Sequence, residues 1–225
     1  MIRLMRLLIA LLVIAPLALA EEKSATIGDS LEGARKNLHA ENFAGAHTVL
    51  DQFEKANKPT VESLDLRGCV YMEQGNFTEA AKAFEAAHDV DSSSFPPRIH
   101  AADLLLRQKK FAEARDACEK LLSETNIPSS GERLRYLILI ADLAEHDERG
   151  ARGALDSIGF PTQTPAYYYA QAAWAFSHGK KSEARKWIET AEKIFPSEAE
   201  SWFARPLYEL GWIKKKPSLV FYQSI

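Results

Sequence analysis

Asp142 and His146 stand four residues apart, a spacing that sets a carboxylate and an imidazole on one face of a helix as two metal ligands or as an acid and a base. His39 and His47, eight residues apart, form a second pair of possible ligands. Neither pair has a third ligand at a meaningful spacing, so both read as solvated or helix-end residues. The chain has no His-Glu-x-x-His zinc helix, no glycine-rich phosphate loop, no Gly-x-Ser-x-Gly elbow and no paired-cysteine metal spacing. Asn76-Phe77-Thr78 matches a glycosylation sequon by letter, but Phe77 reads as a core residue. The expectation is a chain without catalytic residues, metal or cofactor.

The elements that carry these residues follow from a fixed period. Phe43, Phe77 and Phe111 lie 34 residues apart, and each is followed three residues later by an alanine, Ala46, Ala80 or Ala114. A recurrence of that length marks stacked helical hairpins, each hiding the same face against its neighbours. Further along each unit come Leu50 and Phe53, Phe84 and Ala87, Cys118 and Leu121, on the same stripe of a 3.6-residue helix. The stripe returns 70 residues after Phe111 as Lys181, Ala184, Ile188 and Ala191, which is two periods plus two residues. One degenerate unit, with helices at Tyr136 to Leu143 and Ala151 to Ile158, fills that gap, and its extra residues are expected near His146 to Gly150.

The best copy reads Leu64-Asp65-Leu66-Arg67-Gly68-Cys69-Val70-Tyr71, then Gly75-Asn76-Phe77-Thr78-Glu79-Ala80 and Phe84. It resembles the tetratricopeptide repeat, and the resemblance spans residues 27 to 213. It implies an all-α fold, a right-handed α-solenoid of about five helical hairpins with a C-terminal capping helix. Gly68 and Ala80 would let paired helices approach, while Tyr71 and Phe84 fill the space between hairpins. Residues 21–213 form the array in this reading, and 214–225 a tail. Glu198 to Ile213 reads as the terminal helix, kinked or interrupted by Pro206 and stopped by Lys214-Lys215-Lys216-Pro217. Ser218 to Ile225 either folds back on that cap or is captured as a strand by a partner.

The family's geometry also points to a concave binding groove. It turns Tyr169 and Phe176, in the aromatic and alanine-rich stretch Ala166 to Phe176, toward that side, where such rings make an interface hot spot; the alternative is that they belong to the core, with Phe176 covered by the following helices. Met72 and Leu106 take the place of Phe176 in the second and third repeats and extend an apolar track. Asp65, Glu73 and Asp103 line it with acid, and Cys69 points the same way. The ligand implied is an apolar protein segment flanked by basic residues, helical or extended. Cys118 instead takes the buried place of Leu50 and Phe84, so the two cysteines lie on different helices and faces, beyond the reach of a disulfide.

Arg3 and Arg6 precede the apolar run Leu7 to Ala15, which Pro16 and Ala18-Leu19-Ala20 follow. That order reads as a cleavable secretory signal, residues 1–20, with a retained anchor as the alternative, and implies an exported protein, periplasmic or secreted, of bacterial type. Without it the chain carries 26 basic and 31 acidic residues, a formal charge of −5, which argues against nucleic acid as a partner. No second segment approaches membrane-spanning length, so no stable span is expected after cleavage. The function expected is a non-catalytic interaction module of the cell envelope, binding a protein segment in the concave groove as adaptor or assembly factor. A structural subunit packed permanently in an envelope complex is the alternative, and an enzyme with unrecognised chemistry a more distant one.

Overall fold

The computed structural model describes residues 30–218; the signal segment and residues 219–225 of the tail lie outside the described residues. Every regular element described is a helix. The first, α1, covers residues 30–39, and α2 covers Phe43–Asn57, α3 Val61–Glu73, α4 Phe77–Val90, α5 Phe95–Arg107 and α6 Phe111–Glu124. They are followed by α7 Pro128–Ala144, α8 Glu148–Ser157, α9 Ala166–Ser177, α10 Lys181–Ala191 and α11 Ser197–Glu209. Several starts are fixed by side chains that take up the free amide groups of a first turn. Thr60 accepts from Ser63 N at 3.2 Å while Ser63 Oγ accepts from Thr60 N at 3.0 Å, and Asp147 accepts from Gly150 N at 3.0 Å. Proline opens α5 and α7, where its missing N–H costs nothing.

Helices pair in order into five hairpins, α1 with α2 through α9 with α10. Each reverses in three residues, and one of the three adopts a left-handed backbone: Glu41, Gly75, Lys109, His146 and Gly179, with φ of 55°, 78°, 61°, 60° and 75°. Glycine takes this conformation freely, and the other three pay about 1 kcal/mol each. The turn is thus dictated by hairpin geometry and tolerated by the sequence.

The stripe expected from the period is buried from its alanine onward in the first three units, while Phe43, Phe77 and Phe111 at its start are half-buried and Lys181 of the fifth unit is exposed. Ala46, Leu50, Phe53, Ala80, Phe84, Ala87, Ala114, Cys118 and Leu121 are all buried. Successive first helices pack on one another, α3 on α5, α5 on α7 and α7 on α9. The first helices therefore form the inner row of the solenoid and the second helices the outer one. Close approach within the second hairpin rests on Gly68, where a Cβ would come within 2.4 Å of the Phe84 ring. A flat ring wedged in a full core has little room to yield, so Gly68→Ala is expected to destabilise by about 1–3 kcal/mol, read by urea unfolding, despite alanine's better helix propensity.

The fourth hairpin absorbs its extra residues elsewhere than expected. Its turn, residues 145–147, is as short as the others, and the added length lies in α7, which has 17 residues where α3 and α5 have 13. A helix one turn longer keeps its hydrogen bonds and buries Tyr136 to Leu143 almost continuously, whereas a longer turn would expose backbone. The end of the chain also differs. α11 runs through Pro206 and stops at Glu209, short of the lysines. Gly211, at φ 74°, donates to the Tyr208 carbonyl at 2.9 Å and Trp212 to that of Leu207 at 2.9 Å, a Schellman ending that comes before Lys214.

The capping helix does not extend the stack outward. It lies against the inner row, with Phe203, Ala204 and Leu207 in one core cluster with α7 and α9. Full burial of Phe203 and Leu207 contributes about 1.5–3 kcal/mol each before the entropy of ordering the helix is subtracted.

Candidate functional site

The inner row brings Met72, Glu73, Asp103 and Leu106 together at one cavity and sets Tyr169 and Phe176 against the C-terminal segment, while Asp65 and Cys69 lie apart from both, against His100 of α5. Tyr169 and Phe176 of α9 are only 2 % and 6 % exposed. Phe203 lies 6.1 Å from the Tyr169 ring, and Trp212 stacks on Phe176 at 6.1 Å between centroids. Tyr136 of α7 donates its hydroxyl to the Phe203 carbonyl at 2.6 Å. Met72, Leu106, Asp65, Asp103 and Cys69 are buried as well. Glu73 sits at the same face as part of an ion-pair cluster.

That cluster is where the array meets α11 most polarly. Arg107 of α5 reaches Glu73 at 2.7 Å, and its Nε lies 3.5 Å from Asp103 and 3.6 Å from Glu209 without a hydrogen bond. Arg205 of α11 reaches the other oxygen of Glu73 at 3.1 Å. Burial alone would favour neutral Arg107, but Asp103, Glu73 and Glu209 together hold its pKa above the ordinary value. Burial pushes the Glu209 carboxyl up to about 7, against the opposing pull of Arg107. Three acids and two arginines thus share one poorly hydrated contact.

Beside it remains a cavity of about 370 Å³. Met72, Leu106 and Ile140 line its array side, Pro206 and Leu210 its α11 side. At its rim Lys216, in the segment that turns back after α11, pairs with Glu41 of the first hairpin at 2.8 Å. The face expected from sequence to receive a partner is therefore apolar and acidic around this cavity, and the chain's own aromatic C-terminal segment lies on it, with Arg205 and Lys216 set against acids.

The remaining chemistry-bearing residues fall into place around this face. Asp65, Cys69 and His100 bring an oxygen, a sulfur and a nitrogen within 4.8 Å of one another, a donor set of the zinc type. Asp65 and His100 already satisfy each other through a hydrogen bond of 2.8 Å. Burial, with Asp65 adding to it, pushes the Cys69 thiol far above its usual range, so it is neither a ready ligand nor an activated nucleophile. Burial likewise pushes Cys118 up to about 12. Both thiols are free. The native protein at pH 8 is expected to react with a thiol reagent at well under one-tenth of the rate of the unfolded chain, which should titrate two; fast labelling of the folded protein would contradict the placement of both.

Asp142 and His146 are not the solvated pair expected from sequence. Asp142 is buried and bonds Arg115 at 3.1 Å, while His146 takes the left-handed place in the turn. Burial raises the Asp142 pKa, with Arg115 opposing it. His39 is exposed, and His47 pairs with Gln74 at 2.9 Å on the flank of Tyr71. Arg107, Tyr136, Arg205 and Glu209 went unnoticed in the sequence. The spacing of Asp103 and Arg107, four apart on one helical face, was the one available signal for this cluster.

A tetratricopeptide repeat family profile matches residues 34–87 and 66–131. Among solved structures, the crystal structure of PilW, a widely conserved type IV pilus biogenesis factor, is similar over 83 % of this chain and 88 % of that one, with 14 % identity and a TM-score of 0.61. At that identity the likeness establishes the fold. A tetratricopeptide repeat protein from Parabacteroides merdae aligns over 84 % of this chain and 89 % of that one, with 14 % identity and a TM-score of 0.40. No curated protein sequence matches the chain significantly.

Proposed function

We propose that this chain, which belongs to the tetratricopeptide repeat family, is a non-catalytic interaction module of the cell envelope that binds a protein segment on its concave face as an adaptor or assembly factor. Repeats of this kind are in general interaction scaffolds, and the fold is shared with a pilus biogenesis factor. The observation that carries the reading is the inner face itself. Tyr169, Phe176, Met72 and Leu106 supply apolar surface, Glu73 and Asp103 supply acid, and the segment lying on them is helical and aromatic and sets Arg205 against Glu73. Export is supported by the character of residues 1–20, with two arginines before an apolar run and a small-residue cleavage site. No helix among the described residues is long and apolar enough to cross a membrane.

The test is site-specific cross-linking in envelope extracts of the native organism. Lys109 is exposed at the rim of the concave cavity, and Lys186 is exposed on α10 of the outer row. A photoreactive residue at position 109 should trap a protein partner, and one at position 186 should not. Trapping at 186 alone would place the partner on the outer row and overturn the groove reading.

A further inference from the structure

Resting on that reading of the concave face, we propose that residues 197–216 are an intramolecular ligand of the groove, which a partner's amphipathic helix of like chemistry displaces. The partner's helix would carry an aromatic residue and an arginine toward the array, with lysines after its C-terminal end.

The first ground is chemical. The inner face is apolar and acidic, and the segment on it, whose helix carries more glutamates than arginines, meets it with matching apolar groups and with two basic residues set against acids. Phe203 meets Tyr169 and Tyr136, Arg205 meets Glu73, and Lys216 meets Glu41. Those contacts reach hairpins one, two, four and five from one short stretch, as a bound peptide helix does in a groove.

The second ground is the kind of interface. A helix that serves only as core would be expected to meet its neighbours through apolar groups, because a buried ion pair adds little over a well-packed hydrophobic contact. Here Arg107, Asp103, Glu73, Arg205 and Glu209 converge, and Arg107 Nε has no hydrogen bond. Such a cluster discriminates among occupants more than it adds stability. A third ground is incomplete filling. The cavity of about 370 Å³ between Met72, Leu106, Pro206 and Leu210 shows that the groove is wider than the helix that occupies it. A longer or bulkier side chain from a partner would fill that space and so offset the resident segment's own contacts and its tethered effective concentration.

Two measurements on the full-length protein decide this. In native-state hydrogen exchange, amides of α11 are expected to exchange at least tenfold faster than those of α7; equal protection would mean that α11 opens only with the whole fold, which overturns the proposal. In the second, a labelled peptide of residues 197–216 is titrated into the wild type and into Phe203→Ala, whose own segment holds less tightly while the peptide keeps its phenylalanine. Binding to the variant should be at least tenfold tighter than to the wild type. Equal affinities would overturn exchange even if the variant folds normally. A partner trapped at position 109 that the peptide does not inhibit would leave the groove reading standing and sink the displacement; peptide exchange without any trapped partner would sustain the resident segment as an exchangeable occupant and overturn both its displacement by a partner and the groove reading.

Discussion

Replacing Tyr136 by alanine should lower the free energy of unfolding by about 3–5 kcal/mol, the range for removing a large aromatic ring from a closed core. The ring is fully buried, packs 5.2 Å from Phe203 and 6.4 Å from Trp202, and sends its hydroxyl to the Phe203 carbonyl at 2.6 Å. It therefore belongs to the fourth hairpin and to the contact with α11 at once. Tyr136→Phe removes the hydroxyl alone and should cost about 1 kcal/mol, the usual net worth of such a bond. Urea unfolding followed by circular dichroism separates the two contributions. An alanine variant that loses less than about 1 kcal/mol would show that the site collapses around the deletion and that α11 does not depend on this ring.

Arg107→Ala carries the second large effect. The guanidinium is the shared partner of Glu73, Asp103 and Glu209, so its removal leaves three acids facing one another with only Arg205 nearby. Breaking a buried pair from one side costs about 3–5 kcal/mol, and that range applies here. The loss should be larger at pH 8 than at pH 5.5, because at the lower pH the orphaned carboxylates can take up protons instead of staying charged. A loss independent of pH would mean that the side chain acts by packing alone.

Glu209 gives the same region a pH dependence in the unmodified protein. Its folded pKa, about 7, is raised above its ordinary 4.5, so the folded state holds this proton more tightly than the unfolded chain does. The contribution is fully present below the unfolded value and is lost as pH rises through the folded one. With the carboxylate about one-third exposed, the decline between pH 5 and 8 should be about 1–2 kcal/mol. Glu209→Gln, which cannot ionise, should flatten that part of the profile; an unchanged slope would assign it to another group.

The period of Phe43, Phe77 and Phe111 and the stripe beneath it were legible in sequence because one helical face recurs at fixed spacing, and burial of that face is a local demand repeated in every unit. Gly68 as a point of close approach was legible for the same reason, but that the Phe84 ring fills the space against it within the hairpin, and not only between hairpins, came from the structure. The apolar and acidic track of Met72, Leu106, Glu73 and Asp103 could also be placed on the inner row from the resembled family's geometry and their places in the repeat.

Register does not say what covers a face. Phe203 and Tyr136 are separated by 67 residues, and Lys216 and Glu41 by 175, with no periodicity relating them. Asp142 read as a helix-end residue because the arginine that buries with it, Arg115, belongs to the preceding hairpin. The longer α7 was missed because a degenerate repeat conceals where its insertion lies. Sequence by itself determined the repeat and its buried stripe, which follow from short-range spacing, and its resemblance to a repeat family supplied the inner row and that row's chemistry. Only the tertiary structure decided that the C-terminal helix turns inward onto that face, because its placement depends on the curvature accumulated over five hairpins and on complementarity between residues far apart in the chain.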